Sequence, residues 1–139
     1  MSSDNKALVR RWFEEVWNDG RVDAIDDLMG ARCIVHGLGP ADLDGPAGFK
    51  PFHASYRDAF PDVKLTVNDI VGEGSIVAAR WSGTGTHRGN GLGLPATGRP
   101  VTFTGMTFAR VENGKIVEGW NVFDQLNMFQ QLGVVTLPV

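Results

Sequence analysis

"VTFTGMTFARVENGKIVEGWNVF", residues 101–123, holds two runs of alternating side chains around one tight turn. Residues 101–111 and 115–123 each show the two-residue period of a strand with distinct faces, and Asn113-Gly114 between them accepts positive φ at both turn positions. The stretch therefore predicts a long antiparallel hairpin. Upstream, "SIVAARWSGTGTH" at 75–87 and the Val63, Leu65, Val67 alternation supply two further strands, with the glycine turn "GEG" at 72–74 between them. Downstream, "DQLNMFQQLG" at 124–133 changes to a helical period through Leu126, Phe129 and Leu132.

The first sixty residues follow the helical period instead. Leu8, Val9, Trp12, Phe13, Val16 and Trp17 form a wide apolar face after Ser3 or Asp4 as cap, and "NDG" at 18–20 ends it. A short second helix is expected around Val22, Ile25, Leu28 and Met29, a short strand at "CIVH" (33–36), and a third helix from Pro46 with Phe49, Phe52, Tyr56 and Phe60 on one face. Pro51 is expected in the first turn of that helix, where a missing N–H costs little. Helices followed by long strands predict an α+β fold in which a curved antiparallel sheet wraps around the N-terminal helices. Helices laid across a bent sheet enclose a cone-shaped pocket, a place that ligands favour.

A chain of 139 residues is read as a single domain spanning 1–139. Its apolar fraction of 42% and charged fraction of 21% suit a soluble protein, and no apolar run reaches the roughly 20 residues that span a bilayer. The N-terminus lacks the apolar core and small-residue cleavage site of a secretory signal and reads as a folded helix. A net charge of -3, with no Lys/Arg stripe, argues against a nucleic-acid partner. One cysteine, Cys33, excludes an internal disulfide and a thiolate metal site, which fits a cytoplasmic protein. Three histidines on separate elements, with no helical pair, give no metal-binding pattern, so neither metal nor cofactor is expected.

Within the late hairpin, Asn121 shares a strand face with Gly119 and Val117, and Phe103, Gly105 and Thr107 form the facing row. An inward Asn points to ligand contact, while glycine in such a row either leaves room for a ligand or marks a bulge. Asp124 has two readings: helix cap before Leu126, or carboxylate base at the pocket border. His36, at a strand end, is expected to point inward as a proton donor; His87 stands beside a mobile loop. His53 and Trp81 have apolar neighbours that make core packing the first reading, with substrate contact as the second. The glycine-rich "GNGLGLP" at 89–95 lacks the strand-to-helix setting of a phosphate loop and reads as a lid or subunit contact. Apolar residues on both faces of the late strands, including Met106, Phe108, Trp120 and Val122, predict a homodimer or larger assembly through the face turned away from the pocket.

The combination of "GPAGFKPF", "FPDVKLTVNDIVGEG", "RWSGTGTHRGNGLGLPATGRPV", "NGKIVEGWNVFD" and "QQLG" resembles the SnoaL-like polyketide cyclases, or ester cyclases. These lie within the group similar to nuclear transport factor 2 and ketosteroid isomerase, and the resemblance covers nearly the whole chain. It implies a curved sheet around a helix-lined pocket, and cofactor-independent acid/base closure of a polyketide methyl ester by an intramolecular aldol step. By that resemblance the cyclase's catalytic Asp falls on Asn121, and its companion Gln and His fall on Gly105 and Thr107.

The expectation is thus a cyclase, isomerase or hydrolase acting on a small hydrophobic carbonyl compound. Asp124 and His36 are its candidate catalytic groups, and Asn121, Thr107, Phe103, His53 and Trp81 its candidate substrate contacts. Two alternatives stand beside it. One is a noncatalytic binding or scaffold protein of the same fold; the other is an epoxide hydrolase using Asp69, Arg80 and Asp124 around a water.

Overall fold

The computed structural model describes residues 2–138. Helix α1 (Ser2–Arg11) continues without a break into a π-helical stretch, Trp12–Asn18, followed by α2 (Val22–Leu28) and β1 (Met29–His36). A two-residue β2 (Leu43–Asp44) leads into α3 (Gly45–Ala59), after which β3 (Lys64–Glu73), β4 (Ile76–Thr86), β5 (Pro100–Glu112) and β6 (Lys115–Phe123) follow in turn. Helix α4 (Gln125–Gln131) closes the order. The expected α+β architecture is present, with each predicted helix and strand in its place.

The six strands form one open sheet in the order β2-β1-β6-β5-β4-β3. Neighbours are antiparallel except β1 and β6, which run parallel with Val35 opposite Gly119 and His36 opposite Trp120. This one parallel pair departs from the purely antiparallel sheet expected. Its crossover carries the chain from one sheet edge to the other through α3 and the β3–β5 meander, a connection that local alternation does not reveal. Register shifts at Val67/Asp69 and Arg110/Val111 add residues to one strand of a pair, and such bulges bend a sheet. The β5–β6 turn forms as the sequence predicts, with Asn113 at φ 51° and Gly114 at φ 73°.

The concave face of the sheet and the inner faces of α1, α2 and α3 share one hydrophobic cluster. Val9, Val16, Ile25, Phe49, Phe60, Val77 and Met128 are each at most 1% exposed within it. Cys33 belongs to the same cluster, and burial pushes its thiol up to about 11, leaving it a protonated packing residue. Pro51 falls in the second turn of α3 rather than the first, because the helix starts at Gly45. No helix among the described residues is long and apolar enough to cross a membrane.

The π-helical stretch was not expected from the sequence. The Asp19 amide donates to the Glu14 carbonyl five residues back, the bond that defines the wider turn. Around that turn Trp12, Phe13 and Trp17 all reach the space between helix and sheet. Trp12 and Trp17 pack against Phe49 of α3 at ring separations of 5.0 and 6.1 Å.

Candidate functional site

A cavity of about 100 Å³ lies between the concave sheet face and the helices, several times the roughly 10–15 Å³ that one water requires. Its walls are aromatic and aliphatic, with Trp12, Phe13 and Trp17 on the helical side and Trp81, Phe103 and Phe123 on the sheet. Thr107, Asn121 and Tyr56 bring hydroxyl and amide groups to the same walls. Among the described residues no Asp, Glu, His, Lys or Arg lines this cavity.

The sheet register assembles the first polar group of the cavity. Thr107 on β5 and Asn121 on β6 are direct partners, and both point to the concave side. Trp81 Nε1 donates to Thr107 Oγ1 at 3.1 Å, Thr107 donates to Asn121 Oδ1 at 2.8 Å, and Asn121 Nδ2 donates to the His36 carbonyl at 3.1 Å. The His36 carbonyl can only accept, so it fixes the orientation of the Asn121 amide, and the Thr107 proton then has to run toward Oδ1. Three side chains are thereby locked in one directional chain. The second N–H of Asn121 and a lone pair of its Oδ1 remain for a ligand.

Two glycines permit this arrangement, for different reasons. Gly37, at φ 86°, ends β1 where a Cβ would collide with the Asn121 backbone carbonyl, so only glycine lets the strand end pass that close. Gly119 meets nothing nearer than 3.9 Å and leaves open space beside the Asn121 amide, as a ligand requires. Gly105 is a different case. A Cβ there would run into the Trp81 indole and come within 2.8 Å of Phe123 Cβ, so its missing side chain makes room for the indole and not for a ligand.

The second polar group sits on α3. Tyr56 lines the cavity, packed edge-on against Phe123 at 6.0 Å and tilted against Phe52 at 4.7 Å. Gln125, the first residue of α4, donates to its hydroxyl oxygen at 3.1 Å. Burial raises the Tyr56 pKa, only partly offset by the Gln125 bond, so the phenol keeps its proton near neutrality. Sequence reading placed Tyr56 on an apolar face and missed it. The available signal was a lone hydroxyl among three phenylalanines.

Of the expected site residues, Asn121, Thr107, Phe103 and Trp81 meet at the cavity, and the others do not. Asp124 is exposed and accepts the Asn127 amide at 3.0 Å, the cap of α4. His36 lies on the convex face, because Cys33 and Val35 take the buried side of β1 and alternation turns His36 outward. There its Nε2 pairs with Glu118 at 2.7 Å, its Nδ1 with Asp42 at 3.0 Å, and its ring stacks on Trp120 at 5.6 Å. The Glu118 bond is the main reason its pKa is raised, with Asp42 adding to it against a smaller opposing effect of burial. His53 is 2% exposed and bonds the Val16 carbonyl at 2.6 Å. Burial lowers its pKa, so it is a neutral core residue donating from Nε2.

The Asp69, Arg80, Asp124 cluster does not assemble. Arg80 and Asp69 pair through Nε at 2.7 Å and are half or more exposed, while Asp124 is occupied at the cap. The loop at 87–99 packs on the end of α3, where the Arg88 amide donates to the Ala59 carbonyl at 3.0 Å. His87 is fully buried at its base and holds the Thr97 amide at 3.2 Å.

A bent, open sheet that closes an aromatic cavity with two helices, α1 with its π-helical continuation and α3, and offers hydroxyl and amide groups but no charge among the described residues, defines a pocket protein of the α+β cone class. Residues 7–132 match the SnoaL-like polyketide cyclases, and the chain belongs to that family. It is 30% identical over 129 residues to aklanonic acid methyl ester cyclase DnrD of Streptomyces peucetius, covering 91% of this chain and 88% of that protein. It is 32% identical over 135 residues to aklanonic acid methyl ester cyclase DauD of Streptomyces sp. strain C5, covering 91% and 80%. Among solved structures, IdmH from Streptomyces antibioticus superposes with a TM-score of 0.81 at 32% identity, covering 94% of this chain and 99% of that one. A SnoaL-like protein from Jannaschia sp. CCS1 superposes with a TM-score of 0.87 at 23% identity, covering 97% and 95%, a likeness of fold.

Proposed function

We propose that this protein takes a neutral, hydrophobic carbonyl compound of the polyketide ester kind into the cavity and promotes its cyclisation without a cofactor and without a carboxylate base. The observation that carries this reading is the lining: aromatic walls, the Thr107–Asn121 pair, Tyr56, and no charged side chain among the described residues. Burying a carboxylate there would leave it unpaired at a cost of several kcal/mol, so an ester or ketone is favoured over the free acid. Enclosure holds a flexible chain folded with its reacting carbons close, which removes entropy from the barrier before the reaction begins. A carbon-bound proton passes to water, and the carbanion's electron pair forms the new C–C bond as the π pair of the attacked carbonyl moves onto its oxygen. The Asn121 N–H stabilises that oxyanion, and water returns the proton to it as the product hydroxyl.

Names of the relatives supply the substrate to try, aklanonic acid methyl ester. The expected result is ring closure faster than in buffer, with a rate flat between about pH 4 and 6, the range in which a carboxylate base would titrate. A rate climbing through that range would place an Asp or Glu in the mechanism and overturn this reading. Saturable binding without acceleration would instead support a noncatalytic binding protein, which the uncharged lining also favours.

The reading includes a homodimer formed through the convex sheet face and a cytoplasmic setting. Exposed Val71, Met106, Phe108 and Val122 support the first, and the unpaired Cys33 is in keeping with the second.

A further inference from the structure

The two N–H groups of Gln125 are both directed at oxygens: one to the Tyr56 hydroxyl at 3.1 Å and the other toward the Leu38 carbonyl at 3.5 Å. A flipped amide would set its own oxygen against the Leu38 carbonyl, so the orientation is fixed and the phenol oxygen is the acceptor in this pair. Among the described residues the Tyr56 proton has no acceptor of its own, although the ring lines the cavity. Phe123 packs against both the Tyr56 ring, at a centroid separation of 6.0 Å, and the ring of Trp81, which bonds Thr107, at 6.1 Å.

We infer that Tyr56 is a second ligand-contacting donor, directed by Gln125 to bond a carbonyl oxygen of the compound in the cavity. The inference rests on the reading of this cavity as a site for neutral carbonyl compounds, and it adds a requirement. The ligand carries at least two oxygens, one for Asn121 and one for Tyr56. A hydrocarbon of the same shape fits the walls and forfeits the bond. Because α4 starts at the Asp124 cap, that cap also sets where Gln125 stands.

Tyr56 is the one tyrosine of the chain, so any tyrosine signal is its own. The protein is labelled with tyrosine carrying carbon-13 at Cζ and titrated with 1,4-diacetylbenzene, and separately with 1,4-diisopropenylbenzene, which replaces both carbonyl oxygens by methylenes. Tryptophan fluorescence reports occupancy for both probes. The expected result is that both bind, and that the diketone moves the Cζ resonance beyond the ring-current shift the hydrocarbon produces. Tyr56→Phe should then weaken the diketone roughly two- to tenfold, the range of one neutral hydrogen bond, and leave the hydrocarbon unchanged. Equal diketone affinity in Tyr56→Phe, with Cζ unmoved in the parent, overturns the role of Tyr56 while the cavity reading stands. Failure of both probes to bind removes the cavity reading itself, and this inference with it.

Discussion

Thr107 donates its hydroxyl proton to Oδ1 of Asn121 at 2.8 Å while accepting the Trp81 indole N–H at 3.1 Å, and so joins β4, β5 and β6 through side chains on the concave face. Thr107→Val keeps the shape and removes both bonds, leaving a buried indole donor and an amide oxygen unpaired. Urea unfolding should show a loss of about 1–3 kcal/mol, the cost of orphaning buried polar groups. Thr107→Ser should recover most of it.

Asp124 starts α4 and stands outside the cavity, so the two expectations for it separate in variants. Asp124→Ala should lower stability by about 0.5–2 kcal/mol, and Asp124→Asn by much less, since asparagine caps nearly as well. Ring closure by Asp124→Asn should match the parent. A loss on the order of a hundredfold there, with unchanged melting of Asp124→Ala, would make this carboxylate the base.

His36 is held between two carboxylates, Glu118 first and Asp42 second, and its pKa is raised above the ordinary 6.5. Folding thus favours the imidazolium. The resulting stability is fully present below pH 6.5 and is lost as pH rises through the folded value. Nuclear magnetic resonance titration of His36 should give a midpoint above 6.5, and Glu118→Gln should bring it down. The stability difference between parent and His36→Asn should shrink as pH climbs, and a difference that grows would reverse the assignment.

The convex face leaves Val71 64%, Met106 60%, Phe108 54% and Val122 76% exposed, in adjacent rows of the sheet. A two-fold contact would cover all four at once. Light scattering at micromolar concentration should give a dimer mass or a multiple of it, and Phe108→Asp combined with Val122→Asp should give a monomer that keeps its cavity. A parent protein that is monomeric throughout would contradict the assembly.

The hairpin at 101–123, the cap at Asp124 and the inward row of Phe103, Thr107 and Asn121 were legible because each rests on neighbours close in sequence: a two-residue period, an Asn-Gly turn, a carboxylate before a helical stripe. The parallel β1–β6 pair was not, since it joins residues some 80 positions apart and leaves no local trace. The face of His36 was undecidable for a related reason. In "CIVH" both alternating sets contain apolar residues, and only the docking of Cys33 and Val35 into the core settles which set is buried. The π-helical turn at Trp12–Asn18 and the Gln125–Tyr56 bond depend on tertiary packing alone.

Of the four tryptophans, Trp12, Trp17 and Trp81 line the cavity and Trp120 stands against His36 on the convex face, which provides an internal control for where a ligand sits. The decisive measurement follows the four indole N–H resonances, assigned and labelled with nitrogen-15, during titration with methyl benzoate and then with benzoate. A cavity built for neutral carbonyl compounds predicts that methyl benzoate shifts Trp81 saturably and leaves Trp120 in place, and that benzoate at the same concentration shifts neither. An equal response to benzoate, or a shift at Trp120 with Trp81 unmoved, would contradict it.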